Sequence, residues 1–314
     1  MKTRQAILIE KGRIELQEKS IDPQPDQIVV EMHGCGLCAW ELNHWFGLYG
    51  TPPMPLGHEG WGKVVEVGKG TSGRIRVGDF VTGIGSADFA DYFVLPEKYV
   101  MRIVNPRQKE VPGEPLYCVQ NVLRAAHPEV GDTVAVIGCG PMGQWVIQGL
   151  AAPQLRHLIA IDIDDRKLEM ARRSGATQTI NPKRCDPVNA IKELNDGRLA
   201  DIAVEGTGTA AGMQLALDML RPRRPRLVVM SSFKGKIEMD LPALCEKAVE
   251  VLHAHPGIAK DVEDGVRRTE FLINKGVFNM DGVISHRFKL EQIMDAFQAL
   301  EHRPDGYMKG IVIR

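Results

Sequence analysis

Hydrophobic and polar positions follow two different rhythms along this chain. In the first third, short apolar runs are cut by Gly and Pro, and Gln5–Ile9, Gln27–Met32, Gly62–Val67, Asp79–Thr82 and Tyr92–Leu95 read as strands of an irregular, mostly β domain. Between them, the segment 49–57 holds three prolines and two glycines, which precludes a regular helix and predicts an extended loop that positions whatever follows it.

From about Val111 the pattern changes. Apolar strands now alternate with helix-length segments, the signature of a parallel sheet with crossover helices. The predicted strands are Thr133–Ile137, Leu158–Asp162, Thr177–Ile180, Asp201–Glu205, Leu227–Met230 and Val249–His253. Helices are expected to start near Pro141, Asp165, Pro187 and Thr209, with Pro in the first turn of two of them, where its missing N–H costs nothing. This order fits a doubly wound dinucleotide-binding sheet. Beyond Gly257 come two amphipathic patterns, Val262–Asn274 and Leu290–Leu300, and a last strand, Gly310–Ile313.

Length and composition narrow the picture. At roughly 150 residues per domain, 314 residues suggest two domains. A net charge of −1 offers no basic field for a phosphate backbone, so nucleic acid is not an expected partner. No apolar run approaches the roughly 20 residues that span a bilayer, and the first residues lack a signal-peptide core, so a cytoplasmic, non-membrane protein is expected. The six cysteines are too sparse and irregular for a disulfide scaffold. A special cysteine here is a ligand or a nucleophile.

The sharpest local pattern is the strand that runs into Gly138-Cys139-Gly140-Pro141-Met142-Gly143. Gly138 permits the tight turn, Gly140 lets the backbone approach a pyrophosphate, and Gly143 allows the helix to pack closely on the strand. The anion would sit at the N-terminus of the helix opened by Pro141 and Met142. The next strand ends on Asp162, about 20 residues further on, where an acid bonds the ribose hydroxyls and repels a 2′-phosphate. NAD is therefore expected, while Arg166 and Lys167 just beyond keep NADP open. Gly206, Thr207 and Gly208 after the fourth strand, and Ser231 and Ser232 after the fifth, lie where open α/β sheets bind ligands and are candidate walls of a nicotinamide pocket.

Cys35 and Cys38 form a CxxC followed at a distance by Gly57-His58-Glu59-Gly60. A zinc ribbon needs a second CxxC or paired His nearby, and none exists. One thiolate, a His from a second segment and a third ligand from elsewhere instead make a catalytic zinc site with an open fourth position. Cys38 to Glu41, then Gly57-His58-Glu59-Gly60-Trp61 through Gly68, Val77-Gly78-Asp79, the glycine turn and the closing segment 284–297 together resemble the zinc-dependent medium-chain alcohol and polyol dehydrogenases over essentially the whole chain. The resemblance implies an α/β protein: a GroES-like, mostly β catalytic domain over 1–116 with 258–314, and a Rossmann domain with a doubly wound parallel sheet over 117–257. It implies zinc on Cys38 and His58, with Glu41 orienting His58 and Glu59 able to approach the metal. The stretch Glu114-Pro115-Leu116 is similar to the sorbitol and threonine dehydrogenase-like branch, where that carboxylate lies at the zinc. Cys118, near the position of another family ligand, competes with Glu114 for this role.

Two departures from the family stand out. Trp40 occupies the position where a Ser or Thr usually takes the substrate proton; an indole only donates. His44, Glu59 and zinc-bound water are the remaining candidates for proton release. The cysteine-rich lobe of a structural zinc is also missing between Gly83 and Val100, so one zinc per chain is expected. The implied activity is NAD-dependent oxidation of a secondary alcohol of a polyol, sugar or cyclitol to the ketone, or the reverse, through an alkoxide at zinc and hydride transfer. The alternatives are a zinc-free, NADPH-dependent enone or quinone reductase of the same fold, and an inactive NAD-binding sensor. The sixth strand would be an exposed edge, and a homodimer or homotetramer is expected to cover it.

Overall fold

A computed structural model describes residues 1–85, 87–152, 154–256 and 261–314. Ser86 and the expected domain boundary at 257 and 258 lie outside the described residues. In chain order the elements are β1 (Lys2–Glu10), β2 (Arg13–Ser20), β3 (Gln27–Gly36), α1 (Leu42–Trp45), β4 (Met54–Pro55), β5 (Gly60–Val67), β6 (Phe80–Gly83), β7 (Tyr92–Pro96), β8 (Val100–Arg102) and α2 (Gly113–Ala126). They continue with β9 (Thr133–Ile137), α3 (Pro141–Leu150), β10 (His157–Ile161), α4 (Asp165–Arg173), β11 (Gln178–Ile180), α5 (Pro187–Leu194), β12 (Ile202–Glu205), α6 (Ala210–Asp218), β13 (Arg226–Val229), α7 (Leu241–Lys247) and β14 (Glu250–His253). The last are α8 (Val262–Lys275), β15 (Ile284–Lys289), α9 (Ile293–His302) and β16 (Lys309–Ile313). Among the described residues, no helix is long and apolar enough to cross a membrane.

The chain divides into two compact units, 1–117 with 261–314, and 118–260. In the first, a seven-stranded sheet runs β15-β16-β3-β5-β6-β8 with β7 also paired to β3, and a smaller sheet runs β2-β1-β4. The C-terminal strand β16 lies antiparallel to β3, with Ile311 opposite Gly36. Ile28, Val30, Val64, Phe89, Leu95 and Phe297 belong to the buried cluster that holds these strands and α9 together. Residues 290–300, expected as one helix, divide into a 3-10 turn, Leu290–Gln292, and α9.

The second unit is a parallel sheet in the order β11-β10-β9-β12-β13-β14. β9 occupies the centre and every one of its residues is buried, which suits the unbroken run Thr133-Val-Ala-Val-Ile137. β14 lies at the edge and is only half-buried. Seven elements, β2, α1, β4, β8, α2, α7 and β15, escape the sequence pattern, two of them for evident reasons. β2 is mostly polar and is held by its antiparallel register with β1 rather than by its own apolar residues. The start of α2, Gly113-Glu114-Pro115, looks like a breaker, although Pro is tolerated in the first turn.

Candidate metal and nucleotide sites

The metal site is assembled where β3 ends. The Leu37 amide donates to the Gly310 carbonyl of β16 at 2.9 Å, and the Gly36 amide to the Glu59 carbonyl at 3.1 Å. These two bonds fix the loop that carries Cys38 against the segment that carries His58 and Glu59. Cys38 then precedes a 3-10 turn, Ala39–Glu41, that leads into α1. The result places the ligand atoms of Cys38, His58 and Glu59 within 4.8 Å of one another. A thiolate, an imidazole and a carboxylate in one cluster match the three-ligand, open-position pattern of catalytic zinc.

Glu41 supports this cluster from behind. Its buried Oε1 accepts the Gly57 amide at 2.6 Å and bonds His58 Nδ1 at 3.0 Å. An ionised carboxylate only accepts, so Nδ1 carries a proton toward Glu41 and Nε2 is the nitrogen left for a metal, which would take the place of any proton there. Burial raises the Cys38 thiol above its ordinary value, against the pull of His58. Burial disfavours a charged His58, yet Cys38 and Glu41 together hold its pKa well above the usual histidine value.

Two further buried groups, Lys309 and Asp88, complete the surroundings, and sequence reasoning missed both. Lys309, on β16, places Nζ 2.6 Å from Glu59 Oε2 and 3.0 Å from Oε1, and donates to the Leu37 carbonyl at 3.2 Å. A Cβ at Gly36 would fall 1.8 Å from Glu59 Oε2, so only glycine leaves room for that carboxylate. Asp88 is buried and its Oδ2 accepts the Gly60 amide at 3.0 Å; Oδ1 has no hydrogen-bond partner among the described residues. Burial pushes the Asp88 carboxyl up to about 7, against the Gly60 amide and His58. Glu114, expected at the metal, begins α2 outside the three-residue group and acts on Asp88 as a neighbouring charge. Cys118 is half-buried further along α2 and is likewise outside the group.

His44 is on α1, with Nδ1 2.9 Å from the Tyr49 carbonyl. A carbonyl only accepts, which leaves Nε2 of His44 as an acceptor. Trp40, in the 3-10 turn, is exposed.

In the second unit, Gly138 turns at φ +93°, a conformation that favours glycine, and its amide donates to the Ile161 carbonyl at 2.8 Å. A Cβ at Gly143 would meet the Gly138 carbonyl oxygen at 2.1 Å, whereas one at Gly140 would meet nothing within 4 Å. The backbone is thus tight where helix meets strand and open where a phosphate would approach. Pro141 starts α3 and no side chain caps its N-terminus, so the first amides, including that of Met142, are left to an anion. Asp162 accepts the Cys139 amide at 2.8 Å through Oδ2 and the Asp164 amide at 2.9 Å through Oδ1. These bonds hold its carboxylate at the glycine turn. Arg166 bonds Asp164, with Nε 3.3 Å from Oδ1.

Glu205, which ends β12, is a missed organiser of this side. Fully buried, it accepts the Thr207 amide at 2.7 Å, the Thr207 hydroxyl at 2.6 Å, the Gly208 amide at 3.1 Å and the Ser231 hydroxyl. One carboxylate therefore joins the turn from Gly206 to Gly208 with the segment after β13. An acid ending an apolar strand before Gly-Thr-Gly was the available signal.

Residues 24–105 match the alcohol dehydrogenase GroES-like domain, and residues 141–269 match the zinc-binding dehydrogenase family. The chain belongs to the zinc-type medium-chain alcohol and polyol dehydrogenases. It is 27% identical to an erythritol/L-threitol dehydrogenase of Mycolicibacterium smegmatis, with 86% of each chain covered. It is also 27% identical to an L-threonine 3-dehydrogenase of Pyrococcus abyssi, across 98% of this chain and 96% of that one. A Sinorhizobium meliloti 1021 structure bound to NADP superimposes with a TM-score of 0.87 at 23% identity, covering all of both chains, which shows the shared fold. As a member of this dehydrogenase family, the protein is an oxidoreductase whose first unit is GroES-like and whose second is a Rossmann sheet.

Proposed function

We propose that the protein is a zinc- and NAD-dependent dehydrogenase that oxidises a secondary alcohol of a polyol, sugar or cyclitol to the ketone, or catalyses the reverse reduction. The observation that carries this reading is the cluster of Cys38, His58 and Glu59 with Glu41 fixing His58 from behind. Those three residues would hold zinc. When bound, zinc polarises the substrate hydroxyl and NAD accepts the hydride.

The chain's own residues have distinct tasks. Glu41 keeps the His58 ring in one tautomer and one orientation. Lys309 pairs with the Glu59 carboxylate in a buried place, where an unpaired charge would be costly. His44 Nε2 is the acceptor proposed to receive the substrate proton in place of the hydroxyl that Trp40 lacks. Gly138 to Gly143 would bind the pyrophosphate, Asp162 the ribose hydroxyls, and Gly206, Thr207 and Ser231 the nicotinamide side. Asp162 supports NAD over NADP, because its carboxylate would repel a 2′-phosphate and Arg166 is engaged by Asp164. The half-buried edge of β14 supports self-association into a homodimer or homotetramer.

Relatives acting on erythritol, threitol and threonine support a secondary, polar alcohol. The test is a substrate screen of the zinc-loaded protein with NAD and NADP. Turnover of polyols, sugars or cyclitols with NAD is expected. Turnover of simple primary alcohols only, or reduction of enones by metal-free protein with NADPH, would overturn the proposal.

A further inference from the structure

The chain has four tryptophans, and three are packed away: Trp45, Trp61 and Trp145 are 6%, 1% and 0% exposed, whereas Trp40 is 41% exposed. Its indole lies against the Tyr49 ring, with centroids 5.3 Å apart and planes at 33°. Tyr49 is itself 55% exposed, and so is its neighbour Leu48 at 62%. Single exposed apolar residues are ordinary, but two exposed rings packed at a tilt against each other are a continuous apolar ledge.

The ledge is built into the metal loop. One residue separates Trp40 from Cys38, and the next residue after Trp40 is Glu41, which holds His58. The segment bearing Tyr49 is folded back onto α1: the amides of Leu48 and Tyr49 donate to the Asn43 carbonyl at 2.8 and 3.2 Å, and His44 Nδ1 bonds the Tyr49 carbonyl. Trp40 also stands where the resembling family carries a small hydroxyl residue.

We propose that Trp40 and Tyr49 form a specificity ledge that selects a six-membered-ring polyol, a pyranose or cyclitol, over an open-chain polyol. This rests on the dehydrogenase reading above and names the substrate class for that site. A saturated ring presents one face of C–H groups to an aromatic surface while its hydroxyls stay at the rim. An open chain has no fixed face and must freeze its rotors to present one. Around the metal cluster Glu41, Glu59, Asp88 and Glu114 are carboxylates and Lys309 is the cation paired with Glu59, polar surroundings that suit a substrate rich in hydroxyl groups rather than a flat aromatic alcohol.

The experiment has two arms. In the first, kcat/KM with NAD is measured for myo-inositol and methyl β-glucopyranoside against erythritol and sorbitol, in wild type, Trp40→Ala, Tyr49→Ala and Trp40→Phe. The ring-over-chain ratio is expected to favour rings in wild type, to fall about tenfold in each alanine variant through KM of the ring substrates, and to be largely kept in Trp40→Phe. An unchanged ratio in Trp40→Ala, or a wild-type preference for open-chain or aromatic alcohols, would overturn the ledge while leaving the dehydrogenase reading intact. In the second, tryptophan fluorescence of NAD-free protein is titrated with methyl β-glucopyranoside. A saturable change lost in Trp40→Ala is expected, since Trp40 is the exposed indole, and no change would overturn the proposal. If no alcohol is oxidised at all, the dehydrogenase reading fails and the fluorescence arm still decides the ledge.

Discussion

Asp88 is a carboxyl group sealed from water, with one oxygen on the Gly60 amide and the other without a hydrogen-bond partner among the described residues. Burial raises its pKa to about 7 in the fold, against about 3.9 in an unfolded chain. Between those values the folded state keeps a proton that unfolding releases, so stability falls as pH rises from about 4 through 7 and levels off above. Asp88→Asn should remove this loss. Denaturation of metal-free protein across that range is expected to show a flatter curve for the variant, by on the order of a few kcal/mol; equal slopes would contradict the assignment. Asp162 makes a second prediction at this scale. Asp162→Ser removes the charge that disfavours a 2′-phosphate, and the ratio of kcat/KM for NAD over NADP should drop by at least about tenfold, or 1.4 kcal/mol. Residue chemistry was legible in the sequence where partners are close along it, as for Gly138 with Gly143. Lys309 was not, because its partner Glu59 is 250 positions away and only the pairing of β16 with β3 brings them together.

At the scale of elements, the junction of β9 and α3 is the most constrained. Gly143 sits where any Cβ would press on the Gly138 carbonyl at 2.1 Å, and that obstacle is backbone. Gly143→Ala must displace either the turn or the helix. The expected result is a loss of NAD affinity by at least about tenfold together with a stability loss of about 1–3 kcal/mol, read by NAD titration and by denaturation. Wild-type affinity would show that the turn relaxes freely. The alternation of apolar strands and helices was readable because buried parallel strands such as β9 are continuous apolar runs. β2 was hidden because a hairpin partner, not its own composition, makes it a strand. α2 was hidden because its opening Gly-Glu-Pro looks like a breaker.

For the whole molecule, the last strand closes the first unit and carries a buried cation to the metal cluster. Lys309→Met would leave Glu59 charged, buried and unpaired, a change that costs about 3–5 kcal/mol. Lys309→Met with Glu59→Gln should recover much of that loss, because the stranded charge is gone. Denaturant midpoints of the metal-free variants check this; a double variant as unstable as the single one would show that Lys309 matters for packing alone. The two-unit organisation followed from the change of rhythm near Val111, whereas the return of the chain after the Rossmann sheet to complete the first sheet was implied only by the family resemblance. The central claim is that Cys38, His58 and Glu59 hold the zinc on which NAD-dependent alcohol oxidation depends. Its most direct test measures zinc content and NADH formation on a polyol panel before chelation, after chelation and after zinc is returned. One zinc per chain, activity lost with the metal and restored with it, and neither zinc nor activity in His58→Ala is the predicted result; full activity in metal-free protein would contradict it.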